Sequence, residues 1–467
     1  MTHKSEIRDF VEENWDAIEA DIAHMVSIPS VRDDEHASEV APFGPEPRKA
    51  LDEILKIAER LGFDVKPTDN YCAVADLAGK DDQDIAIVAH VDVVPAGPGW
   101  NTDPFKMEKR EGWLLGRGVE DDKGPGIIAL WAARWFIENN ITPQHKIRFV
   151  FGTDEESGMG AVRKYVAENP QPDFMFTPDA EFPVICGEKG IVHGEVSFEI
   201  PKASPIKEIK GGVAKNAVAG EAYAIVERNS GNFTSSENIE VSNLDEEFVK
   251  IYAKGISGHA SLPEGTINAI GVLVEYLFKS GVVAENDQQW MSFLQLLLSD
   301  SYGEALGLAC EDDFLGKLTC VGGMISLKNG QCTQTIDIRY PSTTNLEKIT
   351  AIIEESIKGF SGAFNPGHTE NSHIVDPKDS KVKALMDSYT DVTGKAAEPI
   401  AIGGGTYAKR FEHSVAFGPC EMDTIKPEWA GGMHGPNEAI NVEELKNAMV
   451  IYILALENLM ELDLRVS

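Results

Sequence analysis

Hydrophobic positions recur at helical spacing at the start of the chain. Ile7, Val11, Trp15, Ile18, Ile22 and Met25 fall on one stripe and predict an amphipathic helix. The pattern then changes. Ile85-Ala86-Ile87-Val88-Ala89 is a continuous apolar run, as expected of a strand buried on both faces of a sheet. Lys146-Ile147-Arg148-Phe149-Val150-Phe151 and Phe174-Met175-Phe176 are two further strand candidates. Between the first two lies an apolar-periodic stretch, Ile127 to Asn140, introduced by Gly124-Pro125-Gly126, which predicts a helix with Pro near its first turn. Strands alternating with helices predict an α/β domain with a mainly parallel sheet flanked by helices. Acidic or histidine residues follow each strand candidate directly, and open α/β sheets place their ligands at the carboxyl ends of strands.

From about Gly190 the texture differs. Asn329-Gly330 separates Met324-Ile325-Ser326-Leu327 from Thr333 to Tyr340, the signature of a β-hairpin. On the second strand Ile336, Ile338 and Tyr340 share one face, and Thr335, Asp337 and Arg339 share the other. Helical patterns at Ile267 to Phe278 and Leu346 to Ile357 flank this region. We therefore expect a main domain in two parts, residues 1–189 and 377–467, interrupted by an inserted α+β domain over residues 190–376.

A chain of 467 residues exceeds one ordinary core, in keeping with that division. Its apolar share of 42% and charged share of 25% are those of a soluble globular protein. The net charge of −34, from 76 acids against 42 bases, repels phosphate backbones and argues against nucleic-acid binding. Most of these acids are expected to be solvated, and a few are candidates for cation ligands. The first 31 residues lack a basic start and an apolar core, so no signal peptide is expected. Ala448 to Leu456 is too short an apolar stretch to span a bilayer, so no membrane association is expected. Cys72, Cys186, Cys310, Cys320, Cys332 and Cys420 show no CxxC spacing, which argues for reduced thiols in a cytoplasm.

Five short stretches carry candidate chemistry. His90-Val91-Asp92 follows the first strand; residues two apart in extended chain point the same way, so Asp92 could accept the second ring N–H of His90. Gly116 to Gly124 holds Glu120-Asp121-Asp122 in a Gly-rich turn before a helix. Thr153-Asp154-Glu155-Glu156-Ser157-Gly158 follows the second strand, and its adjacent glutamates diverge, so one could bind an ion while the other faces a substrate. Thr177-Pro178-Asp179-Ala180 ends the third strand, and Gly432-Met433-His434-Gly435 places a histidine in a Gly-rich loop. Each alone reads equally well as a structural histidine or a solvated acidic turn. Together they supply two histidines and three carboxylates, the inventory for two divalent ions sharing one carboxylate.

In that order, and with Gly403-Gly404-Gly405-Thr406-Tyr407, these stretches resemble the co-catalytic metallopeptidase family of glutamate carboxypeptidase, aminoacylase, carnosinase and peptidase T, and within it the PepV-like dipeptidases. The resemblance spans the chain nearly end to end. It implies that Asp121 bridges two ions, that His90 and Asp179 complete one site, and that Glu156 and His434 complete the other. Glu155 would be the general base and Asp92 the residue behind His90, and the peptide bond after Asp121 would be cis. The inserted domain would be a lid. From it, His259 would stabilise an oxyanion, Asn216 would bind substrate, and Arg339 would hold a substrate carboxylate, with Gly404, Gly405 and Thr406 near the same carboxylate. The place of Arg339 on the polar face of its strand would aim its guanidinium toward the cleft. Glu120 and Asp122 add local negative charge around Asp121 and remove no ligand.

The expected activity is hydrolysis of dipeptides and short peptides with free ends, with zinc as the default ion and manganese or cobalt as alternatives. Two other readings remain open: an N-acyl amino acid deacylase or succinyl-diamino acid desuccinylase, and a non-catalytic scaffold on the same fold. Shorter-lid relatives borrow the oxyanion histidine from a dimer partner, whereas PepV-like members carry a doubled lid; the long insertion here implies an active monomer. His3, His24, His36, His145, His193, His368, His373 and His413 match no motif and are expected to be structural or solvated.

Overall fold

Apolar residues on both faces of three short runs drive the formation of a buried sheet, and a computed structural model of the chain shows that sheet. It describes residues 3–67 and 70–466; the outer domain limits expected at 1 and 467 lie outside them. The chain forms two units, one from Met1–Cys186, Val375–Ile400 and Gly405–Ser467, the other from Gly187–Ile374 and Ala401–Gly404.

In the first unit, the strand Asp84–His90 pairs in parallel with Lys146–Gly152 on one side and Phe174–Thr177 on the other. Ser414–Phe417 extends the parallel set beside Phe174–Thr177. At the edges the sheet turns antiparallel: Cys72–Leu77 lies beside Lys146–Gly152, Asp64–Pro67 lies beyond it, and Val184 and Ile185 pair with Ser414–Phe417. Helices cover both faces, as a sheet buried on both sides requires. Val88, Val150 and Met175 pack on one face with Val162 and Tyr165 of the helix Gly160–Glu168. On the other face Phe176 and Phe417 lie against Tyr452 of the helix Val442–Leu459, with ring centroids 5.7 and 5.9 Å away.

The N-terminal stripe forms the helix His3–Val26, with Ile7, Val11, Trp15, Ile18, Ile22 and Met25 buried. The helix expected from Ile127 begins four residues earlier, as Lys123–Glu138. Pro125 then falls within its first turn, where backbone N–H groups have no helical acceptor and the missing donor does no harm. No helix among the described residues is long and apolar enough to cross a membrane.

The second unit holds an eight-stranded antiparallel sheet. Its hairpin joins Thr319–Lys328 to Gln331–Tyr340 through Asn329 and Gly330, at φ 56° and 79°. Both residues lie in the left-handed region that a type I′ turn demands. The expected helices form as Ala269–Ser280 and Leu346–Lys358, each capped by an asparagine side chain, Asn268 and Asn345. One expectation changes. The Thr335, Asp337, Arg339 face of the hairpin is buried, like its apolar opposite, so those polar groups are bonded within the protein.

The aromatic layer beneath the carboxyl ends of the parallel strands generates a stability prediction. Phe417 is fully buried between Phe182 and Tyr452. Phe417→Ala should destabilise this unit by about 3–5 kcal/mol, through lost apolar burial plus an unfilled cavity. Differential scanning calorimetry should show one transition moved down by several degrees while a second, assigned to the other unit, stays in place.

Candidate metal centre

Three parallel strands end side by side, and their carboxyl ends deliver the donor groups. His90 is the last residue of its strand and pairs in register with Gly152, after which the chain enters Asp154-Glu155-Glu156. Phe174–Thr177 leads two residues later to Asp179. Gly152 must lack a side chain, because a Cβ there would sit 2.1 Å from the Tyr407 hydroxyl oxygen. The Tyr407 ring in turn stands edge-on to His90 at 6.3 Å.

Asp121 lies at the middle of the cluster. Its Oδ1 is 2.9 Å from His90 Nε2, and its Oδ2 is 3.0 Å from His434 Nε2. Asp179 Oδ2 is 3.6 Å from His90 Nε2, and Glu156 Oε2 is 3.0 Å from His434 Nε2. One carboxylate thus faces two imidazoles with separate oxygens, and each imidazole has a second carboxylate of its own. The five donor positions expected from the motifs lie together. The Asp121–Asp122 peptide bond is cis.

The electrostatics are those of a largely buried anionic cluster that meets the half-exposed His434 ring. Burial pushes the carboxyls of Glu155, Glu156 and Asp179 above the ordinary range, and repulsion from Asp121 adds to it for each. Burial acts the same way on Asp121, but His434 and His90 override it and hold that carboxyl below the usual range. Asp121 and Glu156 raise the His434 ring to about 10, and for His90 the neighbouring carboxylates outweigh a burial that alone would lower it. A cluster that draws protons onto two imidazoles so strongly calls for positive charge. Imidazole nitrogens and carboxylate oxygens are the donors that zinc, manganese or cobalt accept, so the residues fit a divalent cation. His90, Asp121 and Glu156 offer atoms all within 4.8 Å of one another, and so do His90, Asp122 and Asp179.

Asp92 departs from its expected geometry. The Asp92 carbonyl comes nearer to His90 Nδ1 than its carboxylate does, at 3.0 Å against 3.4 Å. The carboxylate instead accepts the backbone N–H groups of Glu155 and Glu156 at 3.1 and 3.2 Å, and so fixes the turn that carries them. Asp122 does more than add charge. It is fully buried, its Oδ2 accepts the His90 backbone N–H at 2.9 Å, and its Oδ1 has no hydrogen-bond partner among the described residues.

Motif reading missed Glu438. Its Oε1 accepts the backbone N–H groups of Gly118, Glu120 and Asp121, and its Oε2 meets Arg117 Nη1 at 2.5 Å. The one signal was its place four residues after His434, which has no meaning until the loop is seen.

The second unit holds the other expected positions. His259 pairs with Ala217 in a short ladder, and the Asn216 carbonyl accepts the Ala260 N–H at 2.9 Å. His259 Nδ1 accepts the Ser261 backbone N–H at 3.2 Å. Burial lowers the affinity of that imidazole for a proton, and the charges of Arg339 and His193 lower it further. Arg339 is buried: Nε and Nη2 donate to the two carboxylate oxygens of Asp337 at 2.7 and 3.0 Å, and Nη1 donates to the Gly403 carbonyl at 2.8 Å. One edge of the guanidinium is therefore already occupied, which its expected role did not include. His193, passed over as structural, stands in register with Asp337, its Nε2 3.0 Å from that carboxylate and 3.2 Å from Arg339 Nη2. Gly404 closes the second unit, while Gly405 and Thr406 belong to the first, where Thr406 Oγ1 caps the short turn after it by accepting the Ala408 N–H.

The chain is similar to known proteins over nearly its whole length. A Beta-Ala-Xaa dipeptidase of Lactobacillus delbrueckii subsp. lactis is 33% identical over 470 residues, covering 97% of this chain and 98% of the relative. Human carnosine dipeptidase 1 shares the fold with a TM-score of 0.64 at 16% identity, over 99% of this chain and 100% of that one. The dipeptidase Dug1p of Saccharomyces cerevisiae does so with a TM-score of 0.62 at 15% identity, over 98% and 99%. Residues 86–458 match the peptidase family M20/M25/M40, and with donors at three strand ends and a chain-long relative at this identity, the protein belongs to that family of metallopeptidases.

Proposed function

We propose that the protein is a cytoplasmic, monomeric dipeptidase that hydrolyses the peptide bond of dipeptides with free ends, using two zinc ions. The observation that carries this reading is Asp121, whose two carboxylate oxygens each face a different histidine. Support for the substrate comes from the Lactobacillus relative, named a Beta-Ala-Xaa dipeptidase. Six cysteines scattered without CxxC spacing support a reducing compartment. The eight strands of the second unit support a doubled lid and hence a monomer.

His90 and Asp179 would hold one ion, Glu156 and His434 the other, and Asp121 both. Bound there, the ions supply Lewis-acid activation of water and of the scissile carbonyl. The remaining steps belong to side chains. Glu155 is a carboxylate whose proton affinity is raised, chiefly by burial. It can take a proton from the attacking water and pass it to the leaving amine. Ser261 donates to His259 Nδ1, which leaves the proton of the neutral ring on Nε2 as a donor for a developing oxyanion. Asp337 and Gly403 hold the Arg339 guanidinium rigid, and its remaining N–H groups would bind the substrate carboxylate. Asn216 would bind the substrate beside His259, and the Gly404-Gly405-Thr406 backbone would bound the same carboxylate.

Two expected outcomes test these roles. Glu155→Gln should retain both ions yet lose at least about 10² in kcat, because a proton acceptor goes and the ligands stay. Glu156→Gln should instead release one ion. Metal analysis beside steady-state kinetics checks both, and the reverse pattern would exchange the two assignments.

Arg339→Met should raise KM for free dipeptides by about one to two orders of magnitude, the worth of a charge-assisted bond. Dipeptide amides, which lack the carboxylate, should begin poor and change little. Equal slowing of acid and amide would refute the assignment. The same kinetic panel, extended to N-acetyl amino acids, separates a dipeptidase from a deacylase.

A further inference from the structure

Asp121 and His434 face one another across 3.0 Å, yet they lie on segments far apart in sequence. The His434 loop closes on itself through the Gly431 N–H to the Asn437 carbonyl and the Gly435 N–H to the Gly432 carbonyl, at 2.7 and 3.1 Å, but those bonds do not reach Asp121. His434 itself has φ 63°, a left-handed conformation that costs a residue with a Cβ about 1–3 kcal/mol. Its side chain is half exposed, so packing does not fix it.

What joins the two segments is a set of buried polar bonds centred on Glu438. This carboxylate is fully buried. One oxygen accepts three main-chain donors of the Asp121 turn, from Gly118, Glu120 and Asp121, at 2.9, 3.0 and 3.3 Å. The other oxygen takes Arg117 Nη1, and the Nη2 of the same guanidinium reaches back to the Gly435 carbonyl, next to His434, at 3.1 Å. The backbone repeats the tie, since the Gly116 N–H donates to the Glu438 carbonyl at 3.1 Å. Beside it, Lys426 Nζ joins Glu120 at 2.6 Å to the carbonyls of Gly431 and Ala439, which flank the His434 loop, at 3.2 and 3.0 Å.

We propose that Glu438 is the positioning residue of the metal centre, setting Asp121 and His434 at the separation that lets them share one cation. The inference rests on reading Asp121 and His434 as metal ligands and deepens it. Glu438 touches neither ion nor substrate. It acts through the Asp121 main chain on one side and, through Arg117, the His434 loop on the other. An amide in its place carries no charge for Arg117 and offers one oxygen where the carboxylate uses two. The ion held by Asp121, Glu156 and His434 loses its support on two ligands and should then loosen more than the ion held by His90, Asp121 and Asp179, where His90 ends a strand and Asp179 follows one.

The test is zinc titration of the metal-free full-length protein against a competing chromophoric chelator, run beside thermal unfolding of the same samples. Wild type should take up two ions. Glu438→Gln should weaken the two ions unequally, one of them by at least tenfold more than the other. Arg117→Lys, which keeps a cation beside Glu438 and lacks the second arm to Gly435, should give the same selective loss at about threefold or more. It decides the question if Glu438→Gln does not fold. Ile451→Val, a cavity variant in the helix Val442–Leu459, should be less heat-stable yet bind both ions as wild type does. If Glu438→Gln and Arg117→Lys lower the melting temperature but bind both ions at wild-type affinity, Glu438 is only structural and the proposal fails. A wild type that takes up no divalent ion would defeat the metal reading itself.

Discussion

A buried carboxylate with an imidazole on each of its oxygens sets the terms for the rest of the structure. Asp121, Glu155, Glu156 and Asp179 are brought together where like charges repel most strongly, because burial removes the screening that separates them at a surface. Such a cluster persists only if positive charge enters it. His90 and His434 supply part of that charge, and they do so across Asp121. Each of the other donors is then placed relative to those two rings.

The parallel sheet solves the placement problem for most of the cluster. Adjacent parallel strands end at the same level, so His90, the Glu155-Glu156 turn and Asp179 arrive together without a long loop. His434 has no such support. It comes from a loop near the end of the chain and relies on bonds from Glu438, Arg117 and Lys426 to reach Asp121. The two halves of the centre are therefore built by different physics: one by strand register, the other by a buried polar network.

This division explains what was legible in the sequence. The strands at 84–90, 146–152 and 174–177 are apolar on both faces, so their runs and the acidic residues after them stood out. The helix start at Lys123 was hidden by glycines that usually mark loops. Asp92 does lie beside His90, as alternation suggests, but alternation cannot say that its carbonyl comes nearer than its carboxylate. Glu438, Asp122 and His193 act through backbone amides or buried neighbours, and no spacing rule points to such contacts. On the hairpin, alternation did place Asp337 and Arg339 on one face, but it could not tell a buried pair from a solvated one.

The shared position of Asp121 is open to direct observation. Crystals of the protein grown with zinc and measured at the zinc absorption edge would locate each ion by its anomalous signal. Two peaks about 3.5–4 Å apart, one on either side of the Asp121 carboxylate, are the result predicted for a co-catalytic pair. A single peak, or two peaks of which one lies away from Asp121, would contradict the account.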